Sequence, residues 1–520
     1  MSINNFDYVW ITLFFSVVGL CAYFFRNKNK TGNDFLFAKT KIDGVLLYAG
    51  GFGIIEITLA SLLGSKSGFS ALYTVLIVVF IIGFLLANVL KNRYINDGVT
   101  NFNDYVYNQL GHQTSNVVAV ISVLLFLSLS VIAECITFKL LHSLLGWNFV
   151  NSIIGIMGLI LIYLIIGGVA SFKYNSLIQI SLVILTIILM SVFVIFEIGG
   201  VNVVVNNLSN LAVANNHAMN FYTMPHLTSN SVNGFVIFLI GFGGFYFVCF
   251  SSTKNNNEVE ASNSFSFLIK VLLAIILITP GILAISAKMP HKILDGKEIV
   301  TIQAQLADGQ TGYIVKAIDS NSNKINKEPG LIPPVIDTKT GLAIPDSYDY
   351  DLASVVIYRQ YLPKILSFLL VLLVLSGFML AFASYILHVA RIILRNIIIP
   401  NKIFEKYGDA REIWVIRVSI LVFAVLATAI AEIYAPYFLF IQALYVISAI
   451  FLAPLFATVI LSVVCNERKG YFAILTGVLI ALILIFIMKE TNQLYKYALI
   501  TLVSFIVTFI TGLLLKNIKK

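Results

Sequence analysis

Runs of apolar residues about as long as a membrane-spanning helix recur along the whole chain. A helix needs roughly 20 such residues to cross the hydrocarbon core of a bilayer. By that measure the 520 residues contain about thirteen candidate spans. Their approximate bounds are 8–25, 43–65, 69–90, 115–142, 149–171, 175–198, 231–252, 266–288, 363–390, 413–434, 437–464, 471–488 and 496–515. The pattern predicts an all-α integral membrane protein.

Composition agrees with a bilayer as the solvent. Only 11% of the residues are charged, whereas soluble domains carry about 25%. The net charge of +9 is not a nucleic-acid signal, because the basic residues stand in short clusters between apolar runs. The four cysteines have no metal-binding or redox spacing, so we expect free thiols.

The basic clusters also predict the orientation of the chain. If the apolar runs alternate across the membrane, most lysines and arginines of the short loops fall on one side, which is the cytoplasmic side by the positive-inside rule. The N-terminus is then outside and the C-terminus inside, in the bacterial inner (plasma) membrane. The long polar loop 289–349 lies outside, as a small lid or as an irregular insertion.

Two apolar runs carry glycine clusters in their middles. One reads LLYAGGFGIIEITLASLLG and the other FVIFLIGFGGFYFVCF. Glycine weakens a helix, and a helix broken inside a membrane is tolerated where the freed backbone groups line a cavity. The predicted breaks are at Gly50, Gly51 and Gly53 in the first cluster and at Gly241, Gly243 and Gly244 in the second. The alternative is that these glycines only allow neighbouring helices to approach closely.

Each cluster opens a series of five runs, and five is an odd number, so the second series would be inverted relative to the first. Paired interrupted helices that open inverted halves indicate a transporter with its site near the midplane. The predicted organisation is an extra N-terminal helix and loop in 1–42, a first repeat in 43–198, a second repeat in 231–464 that includes the external loop, and two extra helices in 471–520.

Several stretches resemble the sodium:solute symporter family. GGVASFKYNSLIQ, residues 167–179, resembles the family's GG-x-D-x-x-Q stretch between two helices, with Asn175 in place of the usual acid. The loop FFRNKNKTGNDFLFAKTKI, the segment TNFNDYVYNQLG and the stretch AIFLAPLFATVILSVVCNERKG with Pro454 match in order and spacing. The resemblance covers nearly the whole chain and implies a five-plus-five inverted repeat of the leucine-transporter type with extra helices.

The resemblance also implies a sodium site between the first and eighth core helices. The first would supply the backbone carbonyls of Gly51 and Ile54. The eighth would supply a small residue, Gly377, and two hydroxyls, but Leu380 and Ala381 stand at the hydroxyl positions. Shifting the match with the family by one helical turn brings Ser384 to a ligand position. This shift restores one hydroxyl but breaks the register of the match. Sodium is a hard cation that prefers oxygen ligands, so coupling through a proton is the competing expectation.

Four side chains are candidates for contact with a solute. Glu56 lies about one turn beyond the first glycine cluster and could hold a proton, a cation or a substrate amine; it could equally pair with Lys66 or stabilise the start of a half-helix. Thr58 lies in the same segment. Tyr246 and Gln442 match an aromatic gate and a substrate-contacting amide in the sugar branch of the family, although packing roles are equally compatible with both.

The sequence therefore predicts a secondary active transporter that imports a small polar solute by alternating access. Its partners would be the solute, a coupling cation (sodium or a proton) and the lipid bilayer, with no organic cofactor and no nucleic acid. A proton-coupled carrier, an uncoupled facilitator with a degenerate sodium site, and a membrane sensor are the alternatives. We find no nucleotide-binding loop, zinc spacing or nucleophile–base set, so we do not expect an enzyme.

Overall fold

The computed structural model describes most of the apolar part of the chain. The described residues are 5–26, 35, 53–68, 71–73, 75–78, 102–214, 229–249, 275–284, 286, 293–294, 297–305, 311–317, 350–363, 366–398, 409–464, 470–488 and 493–517. All structural statements below concern these residues.

Fourteen helices of this part are numbered in chain order. The first seven are α1 (Asn5–Phe25), α2 (Ile54–Ser67), α3 (Phe102–Leu110), α4 (His112–Leu145), α5 (Gly155–Ile198), α6 (Val201–Ala214) and α7 (Ser229–Cys249). The second seven are α8 (Ala353–Tyr361), α9 (Ser367–Ile392), α10 (Asp409–Tyr434), α11 (Phe440–Ile447), α12 (Ala453–Val464), α13 (Gly470–Ile487) and α14 (Gln493–Asn517). Turns of π-helix cover Val150–Ile154, Ile393–Ile398 and Ser448–Leu452, and Ile275–Ala284 is a shorter apolar helix.

Seven helical stretches among the described residues are long and apolar enough to cross a membrane. The prediction of a multi-pass, nearly all-helical membrane protein is therefore confirmed. The count of thirteen spans stays a prediction, because most of the run at 69–90 and part of the run at 266–288 lie outside the described residues. The inverted repeat and the orientation also stay predictions.

The boundary between the fifth and sixth predicted spans differs from the expected one. A straight α5 of 44 residues would be about 66 Å long, roughly twice the hydrocarbon thickness. Gly168 interrupts it with φ 57° and ψ −154°, a conformation that is essentially restricted to glycine. The chain therefore turns within the GG pair of the family-like motif. Lys173, which was expected between two spans, lies inside the helix after the turn.

Helix α9 lies at the centre of the fold. It packs against α2, α4, α5 and α10, and nearly all of its side chains are buried. A membrane helix that is enclosed on all sides contacts protein rather than lipid, whereas α13 and α14 at the periphery leave large apolar side chains exposed. The residues of α9 are therefore available to form a site between helices.

The loop at 289–349 contains strands, so the expectation of an all-α chain is wrong there. Strand β1 (Ile293–Leu294) pairs antiparallel with β2 (Lys297–Gln305), and β2 pairs antiparallel with β3 (Thr311–Ala317). The sequence GYIVKA of β3 pairs with IVTIQA of β2, and such β-branched and aromatic residues favour strands. These strands are short and lie in a polar loop, so the long apolar runs of the sequence do not reveal them.

Two side-chain contacts attach the segment after this loop to the helices. Lys139 of α4 forms an ion pair with Asp351 at 2.7 Å. The hydroxyls of Ser191 on α5 and Tyr358 on α8 lie 2.9 Å apart, within hydrogen-bonding distance. These contacts fix α8 against the ends of α4 and α5.

The turn at Gly168 leads to a test. We expect Gly168→Ala to lower the free energy of unfolding by about 1–3 kcal/mol, because alanine disfavours this positive-φ conformation. The matched control is Gly158→Ala in the same helix, where nothing lies within 4 Å of an added Cβ. Alanine there gains up to about 1 kcal/mol of helix propensity. Thermal unfolding in detergent micelles measures both, and equal melting temperatures would contradict the assigned turn.

Candidate functional site

Helix α2 begins in the middle of an apolar run. Gly53 precedes its first turn with an extended backbone, φ −79° and ψ −178°, and the helix starts at Ile54. The run at 43–65 therefore contains a helix start near the predicted break at Gly53. Gly50 and Gly51 lie outside the described residues, so the half of the run that precedes Gly53 stays a prediction.

The start of α2 lies directly against α9. A Cβ added at Gly53 would collide with Ala381 and lie 2.9 Å from its Cα. A Cβ added at Gly377 would lie 3.0 Å from Cδ1 of Ile57 and 3.4 Å from Cα of Ile54. The structure thus brings together the two segments from which the family resemblance implies an ion site. Small residues on both sides make this close approach possible.

The contact is poor in side-chain oxygen. Gly377 and Ala381 present no side-chain ligand, and Leu380 is a buried apolar residue of α9. Ser384 is buried one turn beyond Ala381. A sodium ion that leaves water needs several oxygen ligands to replace its hydration. Among the described side chains of this contact, Ser384 is the one hydroxyl from the predicted set.

Glu56 lies in the first turn of α2. Its carboxylate accepts hydrogen bonds from the backbone N–H groups of Gly53 and of Glu56 itself. This is the geometry in which an acidic residue three positions after the N-cap residue, here Gly53, satisfies an otherwise unpaired donor. Its Oε2 is buried without a hydrogen-bond partner among the described residues. One oxygen of Glu56 therefore caps the helix, and the other is available to a proton or a ligand.

In the part of the chain that the structure describes, the other predicted solute contacts are not brought together with Glu56. Thr58 is buried on α2, one turn beyond the contact with α9. Gln442 is partly buried in the first turn of α11, which packs against α4 and α14, and no hydrogen bond joins it to Glu56. The side chain of Tyr246 lies outside the described residues. The roles of all three stay predictions.

Helix α7 corrects the second predicted break. It runs continuously from Ser229 to Cys249, through Gly241, Gly243 and Gly244. A Cβ added at Gly241 would lie 2.7 Å from Oγ of Ser448, and one at Gly243 would lie 2.9 Å from the ring of Phe456. A Cβ added at Gly244 would lie 2.5 Å from the carbonyl oxygen of Leu452. The glycines serve close packing against the π-turn 448–452 and α12, which was the alternative interpretation.

An aromatic cluster between α4, α7 and α9 was missed by sequence reasoning. Phe126 stacks on the ring of His388 with centroids 4.9 Å apart and lies 6.0 Å from the ring of Tyr385. Phe245 contacts the same tyrosine edge-on at 6.5 Å. The available signal was the aromatic residue next to Tyr246 in the glycine-rich run, which spacing alone could not distinguish from packing.

Comparison with known proteins now adds to these observations. The model of the sodium:solute symporter family matches residues 57–305, a range that includes the GG turn at Gly168 and the packed glycines of α7. This confirms the resemblance to the sodium:solute symporter family. No curated protein matches the chain in sequence.

A solved transporter structure is similar to this chain in fold. A Na⁺-coupled sialic acid symporter in a substrate-bound outward-open state has a TM-score of 0.70 at 12% identity, with 98% of each chain covered. A nucleobase-cation-symport-1 family transporter in a closed conformation has a TM-score of 0.43 at 11% identity, with 95% of this chain and 90% of that chain covered. A manganese transporter of Eremococcus coleocola has a TM-score of 0.47 at 12% identity, with 91% and 93% covered. The last two scores are too low to support an argument.

The symporter-family match and the fold of the first structure support a secondary symporter in a membrane. At 12% identity the structural likeness shows the fold and does not transfer a substrate or an ion.

The packing of α7 leads to a second test. We expect Gly244→Ala to destabilise the protein by about 1–3 kcal/mol, because the added methyl group overlaps the Leu452 carbonyl and the helices must move apart. The control is Gly234→Ala in the same helix, where nothing lies within 4 Å of an added Cβ. Thermal unfolding and yield of monodisperse protein are the measurements. A Gly244→Ala protein as stable as the Gly234→Ala protein would contradict the close packing.

Proposed function

We propose that the protein is a secondary active transporter that imports a small polar solute by alternating access, with a cation as the coupling partner. The observation that carries the proposal is the start of α2 at Gly53, packed against Ala381 of α9 with a buried carboxylate in its first turn. A helix end inside a membrane is tolerated where it serves a site. The symporter-family match supports the same assignment.

Substrate contact is proposed at the broken end of α2. The unpartnered Oε2 of Glu56 suits a donor on the solute or a proton, and Thr58 adds a hydroxyl in the same segment. Gln442 on α11 and Tyr246 on α7 are the proposed contacts from the second half of the chain. A solute with hydrogen-bond donors fits this set, because the charged member accepts hydrogen bonds.

For the coupling ion we propose a proton rather than sodium. The contact between α2 and α9 presents Gly377 and Ala381, which have no oxygen ligands, and Gly53 approaches Ala381 too closely to admit a Cβ. Ser384 and the backbone carbonyls of Gly51 and Ile54 would leave sodium with few ligands. A carboxyl group buried at this depth readily takes up a proton. The sodium-coupled alternative is supported by the family and by the sialic acid symporter, and an uncoupled facilitator is the third possibility.

The first experiment identifies the solute. Purified protein is screened by thermal shift against small polar solutes, including amino acids, sugars, nucleobases and carboxylates, with sodium chloride or choline chloride as the salt. We expect at least one solute to raise the melting temperature, because a ligand that binds only the folded state stabilises it. A protein that a solute stabilises, but that carries this solute into proteoliposomes under no imposed gradient, is better explained as a sensor.

The coupling prediction uses the solute found in that screen. We expect uptake into proteoliposomes to be driven by an imposed proton gradient and little affected by a sodium gradient. Glu56→Gln should lower proton-driven uptake at least about tenfold, equivalent to about 1.4 kcal/mol in the barrier. The substitution keeps an acceptor for the backbone N–H of Gly53, as glutamine serves in the same capping position, and removes only the exchangeable proton.

Two controls separate chemistry from structure. Glu432→Gln removes an exposed carboxylate from α10 and should leave uptake unchanged. Glu56→Ala removes the cap together with the proton site and should lower the melting temperature as well, whereas Glu56→Gln should not. Strong sodium stimulation that survives Glu56→Gln would refute proton coupling and restore the coupling that the family implies.

A further inference from the structure

Glu134 is a second carboxyl group buried in the membrane part of the fold, away from the proposed site. It lies in the middle of α4 and its exposed fraction is 0%. Its Oε1 lies 3.0 Å from Oγ1 of Thr428 on α10. Its Oε2 is buried and has no hydrogen-bond partner among the described residues.

Among the described residues, no counter-charge lies beside Glu134. Lys139 is five residues further along α4 and is paired with Asp351. On α10, Arg417 precedes Thr428 by eleven residues, roughly 16 Å along the helix axis, and Glu432 is exposed and acidic. Cys135, the neighbouring titratable group, donates to the carbonyl of Ala431 at 3.6 Å. An ionised Glu134 would therefore be an uncompensated charge in a low-dielectric interior.

Helix α10 excludes water from this position. The face that it turns towards α4 consists of small buried residues, Ala424, Ala427 and Ala431, beside Thr428. Its opposite face carries exposed large side chains such as Val422 and Leu426. Small residues let two helix backbones approach closely, so that protein atoms rather than water surround the carboxyl group.

Three hydrogen-bond acceptors surround the hydroxyl group of Thr428. Its Oγ1 lies 3.0 Å from Oε1 of Glu134, 3.0 Å from the carbonyl oxygen of Ala424 and 2.7 Å from Sδ of Met157. A hydroxyl has one proton to donate, yet an ionised carboxylate, a carbonyl and a thioether are all acceptors. A proton on Glu134 resolves this competition, because the carboxyl group then donates to Oγ1 and the hydroxyl donates onward to Ala424 or Met157.

We infer that Glu134 is a proton-binding site in which a neutral carboxylic acid donates a hydrogen bond to Thr428 and joins α4 to α10. The inference does not depend on the proposed transport function, because neither Glu134 nor Thr428 belongs to the candidate solute site. The bound proton is the ligand of this site, and its role is to hold the two helices together without placing a charge between them.

Infrared spectroscopy of the full-length protein in lipid tests the protonation state directly. We expect the C=O stretching band of a protonated carboxyl group in the wild type and its loss in Glu134→Gln, together with retained folding. An amide donates to Thr428 as the acid does, so uptake and melting temperature of Glu134→Gln should stay close to wild type, within about twofold for uptake. Glu134→Leu, which has no donor, should melt at a lower temperature than Glu134→Gln.

A second variant keeps the inference testable if Glu134→Gln does not fold. Thr428→Val removes the acceptor, so the carboxylic acid band of Glu134 should move to higher frequency, and Thr428→Ser should leave it in place. Loss of a carboxylate band instead of an acid band in Glu134→Gln would overturn the inference. So would an acid band that Thr428→Val leaves unmoved. A carboxylate band that shifts when sodium chloride replaces choline chloride would also overturn it, in favour of a cation site.

Discussion

Close approach between α2 and α9 is the contact around which the described part of the fold is arranged. Gly53 and Gly377 leave no room for a side chain, because Ala381, Ile54 and Ile57 occupy that space. The approach places the start of a helix in the interior of the fold, where its free N–H groups need partners. Glu56 supplies one acceptor, so capping and site formation depend on the same residue.

The enclosure of α9 follows from the same geometry. Helices α2, α4, α5 and α10 surround it, and its side chains are correspondingly apolar and buried. Some of the polar side chains buried in this region lie between helices, as for Glu134 and Thr428. Hydrocarbon surroundings penalise each polar group that lacks a partner, so such residues indicate binding or interhelical bonding rather than chance. Glu56, in the first turn of α2, is the candidate for binding. Glu134, which contacts the hydroxyl of Thr428, is the candidate for bonding between helices.

The two glycine clusters have the same sequence pattern but different structures, a helix start in one and a closely packed continuous helix in the other. Gly53 stands at a helix start, whereas Gly241, Gly243 and Gly244 lie inside a continuous helix and admit Ser448, Phe456 and Leu452. A glycine lowers the penalty both for unwinding and for close packing. Its local sequence contains no information on whether a neighbouring helix approaches at that point. The fold is similar to a Na⁺-coupled symporter although only one of the two predicted breaks coincides with a described helix start.

The sequence by itself determined the membrane class and the apolar helices, because hydropathy and helix length act locally, and its motifs carried the family resemblance. Tertiary structure alone decided the packing of Gly53 against Ala381, the aromatic cluster around Tyr385, the pair Lys139–Asp351 and the contact of Glu134 with Thr428. Glu134 and Thr428 are 294 residues apart. Contacts of that separation depend on how helices are arranged in three dimensions, and no periodicity in one helix contains that arrangement.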